Sequence, residues 1–266
     1  FTLSQTTWTF SLAILMLGLS AGFLGSFAEK IGPKKSGLLA MLFWVTGLLG
    51  TAYALSIHNL TLLYLFYGII GGIGLGIGYI TPVSTLVKYF PNRPGFATGL
   101  AIMGFGFASL IAGPLMQYLV AQVGLVDTFI ILGVIYLVIM SASSLYLKAP
   151  QPKHPTRTTK DKSTMYVHTH GMLANDAMKT WQFGALWWVF FINITCGIGL
   201  LSLASPMAQE AIGMTPTAAA SLVGIIGIFN GGGRIAWSTI SDYLGRAQTY
   251  ILFFIIQIIA FYILAE

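Results

Sequence analysis

Apolar runs of about 20 residues recur along this chain, each long enough to cross the ~30 Å hydrocarbon core of a bilayer as a helix. Eight such runs fall near residues 8–27, 37–56, 60–81, 96–120, 128–147, 183–207, 217–240 and 249–265. Lipid offers no water to a backbone N–H or C=O, so a spanning segment must satisfy its own backbone, and a helix does so alone. The expected fold class is an all-α membrane protein. Only 8% of the 266 residues are Asp, Glu, Lys or Arg, where a soluble domain carries roughly a quarter. That excludes an ordinary soluble enzyme, and no catalytic residues or cofactor are implied.

The formal charge of +6 comes from 13 Lys and Arg against seven acids. All but one of these cations lie between runs: Lys30, Lys34 and Lys35; Lys88 and Arg93; Lys148, Lys153, Arg157, Lys160, Lys162 and Lys179; and Arg246. Segments 57–59, 121–127 and 208–216 contain no Lys or Arg. Basic connections stay on the cytoplasmic side, so the basic loops are expected inside and the other three outside. Cations that punctuate spans do not form a nucleic-acid-binding stripe. The only cysteine, Cys196, excludes an intrachain disulfide. With eight spans the chain, whose first residue is Phe1, is expected to begin and end outside, so one further span in front and more behind are expected.

Residues 149–180 break the pattern with Pro150, Pro152, Pro155 and clustered cations, as a cytoplasmic connector would. The expected domains are an N-terminal bundle (1–148), this linker (149–180) and an incomplete C-terminal bundle (181–266). The linker holds His154, His168 and His170. No thiol or carboxylate stands at ligand spacing from them, so a solvated loop is the better reading and no metal site is assigned.

Two stretches echo one another. Gly25-Ser26-Phe27-Ala28-Glu29-Lys30-Ile31-Gly32 parallels Ser238-Thr239-Ile240-Ser241-Asp242-Tyr243-Leu244-Gly245-Arg246: a small residue, an acid four later, a glycine three after that. The pair resembles the signature loop of the major facilitator superfamily, G-x-x-x-D-[RK]-x-G-[RK], with Glu29 for Asp and Pro33 for the last basic residue in the first copy and Ser238 for Gly in the second. Ala112-Gly113-Pro114 is similar to that superfamily's Gly-Pro motif. The resemblance implies major facilitator-like helical bundles, with the eight spans equivalent to helices two to nine of twelve. It also implies a gate at the cytoplasmic ends, built from Gly25, Glu29, Lys30, Gly32, Arg93, Asp242, Gly245 and Arg246. Glu29 would pair with Arg93, and Asp242 with a partner outside this chain.

The cation left over is Arg234, inside the seventh run. An arginine at the centre of a span costs ~2.5–3.5 kcal/mol even on insertion scales, which makes a functional role the default reading. Snorkelling to the headgroups competes with it. Gly227, Asn230, Gly231, Arg234 and Ser238 share one helical face at spacings of three and four, which leaves room beside the guanidinium for a small anion; glycine stripes also serve close packing. In the third run Gly68, Gly72, Gly76 and Tyr79 share a face, with Pro82 expected to kink the helix beyond.

Trp181-Gln182-Phe183-x-x-Leu186-Trp187, Asn230-Gly231-Gly232-Gly233-Arg234 and Phe90-Pro91-Asn92-Arg93-Pro94-Gly95 resemble the oxalate/formate antiporter family, bacterial inner-membrane carriers of small carboxylates. That likeness implies a substrate held between two cations and an aromatic cage. Arg234 falls on the first cation and Tyr79 on a cage tyrosine, while Asn230, Phe105 and Trp237 join them as candidate substrate contacts. The second cation would lie outside the chain. Phe105 replaces a family tyrosine, so monocarboxylates such as formate, lactate or pyruvate fit as well as a dicarboxylate.

The expected function is secondary active transport of a small organic anion by alternating access, by a monomer with the anion and the bilayer as its partners. The alternatives are a proton-coupled monocarboxylate carrier, an anion channel or a non-transporting membrane receptor. No acid or histidine falls within the apolar core of a run, so either exchange of one anion for another drives the cycle or a proton site lies in helices outside these eight.

Overall fold

A computed structural model describes residues 1–149 and 174–265, and all its long elements are helices. They are α1 (Leu3–Ile31), α2 (Pro33–Ser56), α3 (Leu60–Tyr89), α4 (Pro94–Tyr146), the short α5 (Ala174–Ala177), α6 (Trp181–Ile212), α7 (Pro216–Leu244) and α8 (Arg246–Ala265). Among the described residues, six of these are long and apolar enough to cross a membrane. One of the six, α4, is two spans in series, because Gly124 at φ 83° breaks the helical path. The first limb covers 94–123 and the second 125–146. α7 is as long as α1 and carries Asn230, Arg234 and Asp242 among its apolar residues. The eight expected spans are all present as helices.

Helix ends follow local chemistry. Thr2 and Gln5 form a reciprocal capping box at the start of α1, and Pro33 occupies the first turn of α2, where a missing N–H costs nothing. The Asn59 side chain accepts from the Leu62 N–H at 3.1 Å and Thr180 Oγ1 from the Phe183 N–H at 3.3 Å. Gly213, at φ 70°, ends α6, and Gly245, at φ 90°, separates α7 from α8.

Several connections are shorter than expected. The external loop expected at 121–127 shrinks to Gly124, after which Thr128 Oγ1 donates to the Gly124 carbonyl at 2.7 Å. The loop at 208–216 shrinks to Gly213, Met214 and Thr215. α3 passes through Pro82 to Tyr89, eight residues beyond its expected end. Pro150, Pro152 and Pro155 and His154, His168 and His170 lie outside the described residues.

Two contact-dense units divide the chain: Phe1–Pro152 with Ile228–Glu266, and Lys153–Gly227. In the first, small residues bring helices together. The stripe on α3 faces α1, since a Cβ on Gly72 would stand 2.7 Å from the Ala13 carbonyl and one on Gly76 would collide with Ser20. The opposite stripe faces α2, where Gly74 meets the backbone of Trp44 and Ala40. Ser36 and Thr81 share a buried hydrogen bond of 2.6 Å across the α2–α3 contact. Residues Tyr64–Gly71 of α3 form a π-helical stretch; a Cβ on Gly47 would lie 2.8 Å from the Gly71 Cα and 3.0 Å from the Phe66 carbonyl. In the second unit Trp187 stacks on Phe191, with centroids 5.1 Å apart and planes 8° apart.

Because both neighbours of Gly47 are backbone, neither can swing aside. Gly47→Ala is expected to destabilise the protein by about 1–3 kcal/mol, as overpacking does. Thermal unfolding in detergent against the unaltered protein measures it, and an unchanged midpoint would contradict the packing.

Candidate functional site

α7 is the helix on which the polar residues converge. Asn230 stands midway along it, and Arg234 is ten residues from its C-terminal end, a rise of about 15 Å. The Arg234 Nε–H donates to Asn230 Oδ1 at 2.8 Å. Asn230 precedes Arg234 by one turn, so the guanidinium is drawn toward the middle of the helix, away from the nearer end that snorkelling would reach. The residue is half-buried.

Tyr79 lies ten residues from the end of α3 and Phe105 eleven from the start of α4, which puts both at nearly the depth of Arg234 along their own helices. Their rings meet edge to face, with centroids 5.4 Å apart and planes at 71°. Gly106, next to Phe105, abuts the backbone of Asn230 and Gly231. The same face of α4 continues with Gly99, whose Cβ would stand 2.5 Å from the Arg234 carbonyl and 3.0 Å from Ser238 Cβ. Gly231 in turn faces the Met103 carbonyl and the Phe107 ring. α4 and α7 thus meet backbone to backbone from Gly95 to Gly106, and that contact sets Phe105 beside the helix that carries Arg234. Trp237 is turned toward α8, edge to face with Phe253 at 4.9 Å.

The end carrying the basic loops is held by two acids. Asp242 Oδ1 accepts from the Gly95 N–H at 3.0 Å and Oδ2 from the Phe96 N–H at 2.9 Å. These are free donors in the first turn of α4, where the helix dipole favours a negative charge. Arg246 closes the cluster, with Nη2 donating to Asp242 Oδ1 at 2.6 Å and Nη1 to Ser241 Oγ. The Asp242 side chain is 5% exposed and that of Arg246 52%. The expectation that Asp242 pairs outside this chain is therefore corrected: its partner is the N-terminus of α4. The expected Glu29–Arg93 pair is corrected too. Glu29 accepts from Lys88 Nζ at 3.0 Å, because α3 runs on far enough to bring Lys88 over the last turn of α1. Arg93 stands at the N-cap of α4 and makes no side-chain cap bond. Gly25 packs near Ile80, and Gly32 turns the chain into α2 at φ 81°. Lys30 is exposed in the last turn of α1.

The model of the Major Facilitator Superfamily matches residues 1–265. The chain belongs to that superfamily. It is 30% identical over 247 residues to the uncharacterized MFS-type transporter YhjX of Escherichia coli (strain K12), covering 92% of this chain and 59% of that protein. It is 27% identical over 246 residues to the oxalate:formate antiporter of Oxalobacter formigenes, covering 92% and 56%. Apicoplast pyruvate carrier 1 of Toxoplasma gondii matches at 23% identity, over 91% of this chain and 54% of the carrier. The chain thus spans a little over half the length of these relatives. As a superfamily member with eight helical spans, it is a multi-pass membrane protein.

What the sequence reading missed is the glycine face of α4: Gly95, Gly99 and Gly106 recur at four and seven residues, the spacing of a helix–helix contact. Pro94 at the first helical position, which leaves the N–H groups of Gly95 and Phe96 without intrahelical partners, was the signal for where a repeat acid could dock.

Two charge-assisted backbone bonds meet at Asp242, whereas Arg246 is half in water. Asp242→Ala should therefore cost about 1.5–3 kcal/mol and Arg246→Ala about 0–1 kcal/mol. Thermal unfolding of the two variants in detergent ranks them, and equal losses would contradict the role of the α4 N-terminus.

Proposed function

We propose that this protein is a secondary active transporter of small organic anions that works by alternating access, with Arg234 pairing the substrate carboxylate. One observation carries the reading: the guanidinium is turned inward along α7 onto a neutral amide instead of toward the headgroups. A cation kept there at the cost of burial needs a counter-charge that comes and goes. A carboxylate fits, since it can accept two parallel N–H bonds from a guanidinium. Tyr79 adds a phenolic donor and Phe105 an apolar wall, while Asn230 and Trp237 complete the proposed set. Substrates named for relatives, oxalate and formate in one and pyruvate in another, agree with a mono- or dicarboxylate.

Exchange is the coupling that these residues favour. Each described carboxylate stands within two residues of a helix end or in the short α5: Glu29, Asp127, Asp176, Glu210 and Asp242. None sits beside Arg234 to carry a proton. The relative named as a pyruvate carrier supports a monocarboxylate substrate; were its transport here proton-coupled, the second reading, a pH gradient without internal anion would drive uptake. The basic loops and the 149–180 linker face the cytoplasm, a bacterial inner membrane is the setting, and Asp242 on the α4 N-terminus forms the gate at that side between the N-terminal bundle (1–148) and the C-terminal one (181–266), while Glu29 on Lys88 closes the same end within the N-terminal bundle.

The complete protein in liposomes loaded with formate, oxalate, lactate or pyruvate is expected to take up the labelled anion faster than empty liposomes. Arg234→Ala should lower exchange at least a hundredfold while inserting normally. Undiminished exchange by a well-folded Arg234→Ala protein would refute the assignment.

A further inference from the structure

We propose that Asn230 is a positioning residue that decides both how Arg234 grips a carboxylate and why the grip needs no proton. The inference rests on the reading of Arg234 as the anion-binding group. Arginine has donors only, so the amide atom facing its Nε must be the oxygen, and the 2.8 Å bond from Nε to Asn230 Oδ1 fixes both side chains. A guanidinium offers a carboxylate two edges: Nε with one Nη, or both Nη together. Asn230 occupies the first. The second stays available, so the substrate is held end-on, with its long axis continuing that of the arginine side chain.

The charge of residue 230 matters as much as its shape. A carboxylate at this position would stand one turn from Arg234, at the spacing that forms ion pairs on a helix, and would neutralise it from within. A substrate could then bind only after a proton had discharged that internal competitor. The amide holds the guanidinium in place yet leaves its charge whole, so the incoming anion alone balances it. Among the described residues no acid stands opposite the pair. α4 meets this turn of α7 through Gly99 at the Arg234 carbonyl, Gly106 at the backbone of Asn230 and Gly231, and Met103 and Phe107 at Gly231. The nearby titratable groups are phenols: Tyr79 on α3, whose ring meets Phe105, and Tyr250 on α8, whose ring meets Phe253. Asp242, two turns along α7, is engaged by the α4 N-terminus and Arg246.

The decisive variant is Asn230→Asp in the complete protein, reconstituted in liposomes loaded with formate or oxalate, with uptake of the same labelled anion measured from pH 7.5 to 5.5. Exchange should fall at least tenfold at pH 7.5 and recover as the pH drops, and an inward proton gradient should stimulate it; the unaltered protein should show neither response. A rate and pH profile matching the unaltered protein would overturn the inference. Asn230→Leu, which keeps the bulk without the acceptor, gives a second decision if the acid prevents insertion. It should raise KM about tenfold with little change in kcat, and an unchanged KM would overturn the positioning role. The two levels separate cleanly. If Arg234→Ala still exchanges either anion, the carboxylate reading itself fails; if it is inactive while the Asn230 variants behave as unaltered, only this inference fails.

Discussion

A single carboxylate, that of Asp242, ties the polar helix α7 to the rest of its unit. It lies almost wholly out of solvent and accepts from two backbone N–H groups at the start of α4. Burying a charge is costly unless donors and an opposing field compensate it, and a helix N-terminus supplies both. From that anchor the two helices run side by side, and the glycines at 95, 99 and 106 let their backbones touch. The axial position of Arg234 relative to Phe105 follows from the anchor and the glycine face together. Neither feature belongs to the candidate site, yet both determine where it is.

Much of this was legible in the sequence because lipid makes backbone satisfaction a hard rule. Eight apolar runs could only be eight helices, and Arg234 stood out because every other cation had a loop to occupy. Partners were less legible. Glu29 pairs with Lys88 and not Arg93 because α3 continues through Pro82 for two further turns, and an apolarity window sees only where hydrocarbon ends. Asp242 looked partnerless because sequence reasoning pairs charges with charges, whereas its counterpart is a pair of uncharged N–H groups whose donors are freed by helix geometry. The face shared by Gly68, Gly72, Gly76 and Tyr79 divides in the structure: the three glycines pack on α1, and Tyr79 at its end turns toward Phe105.

The distribution of acids gives the unit its electrostatic character. Every described carboxylate is at a helix end, where water, a lysine or free backbone donors stabilise it, and the interior of the spans is left to neutral groups and one cation. Such an interior resists closing around an empty site, because removing the remaining water from an uncompensated guanidinium costs several kcal/mol. An anion beside Arg234 removes most of that penalty. In the proposed exchanger the same penalty that makes Arg234 expensive would therefore suppress futile return of the empty carrier, and obligatory exchange would follow from desolvation without a separate coupling device. In that exchanger the neutral amide of Asn230 would preserve the penalty: an ionised carboxylate there would discharge it, leaving the empty form as free to reorient as the loaded one.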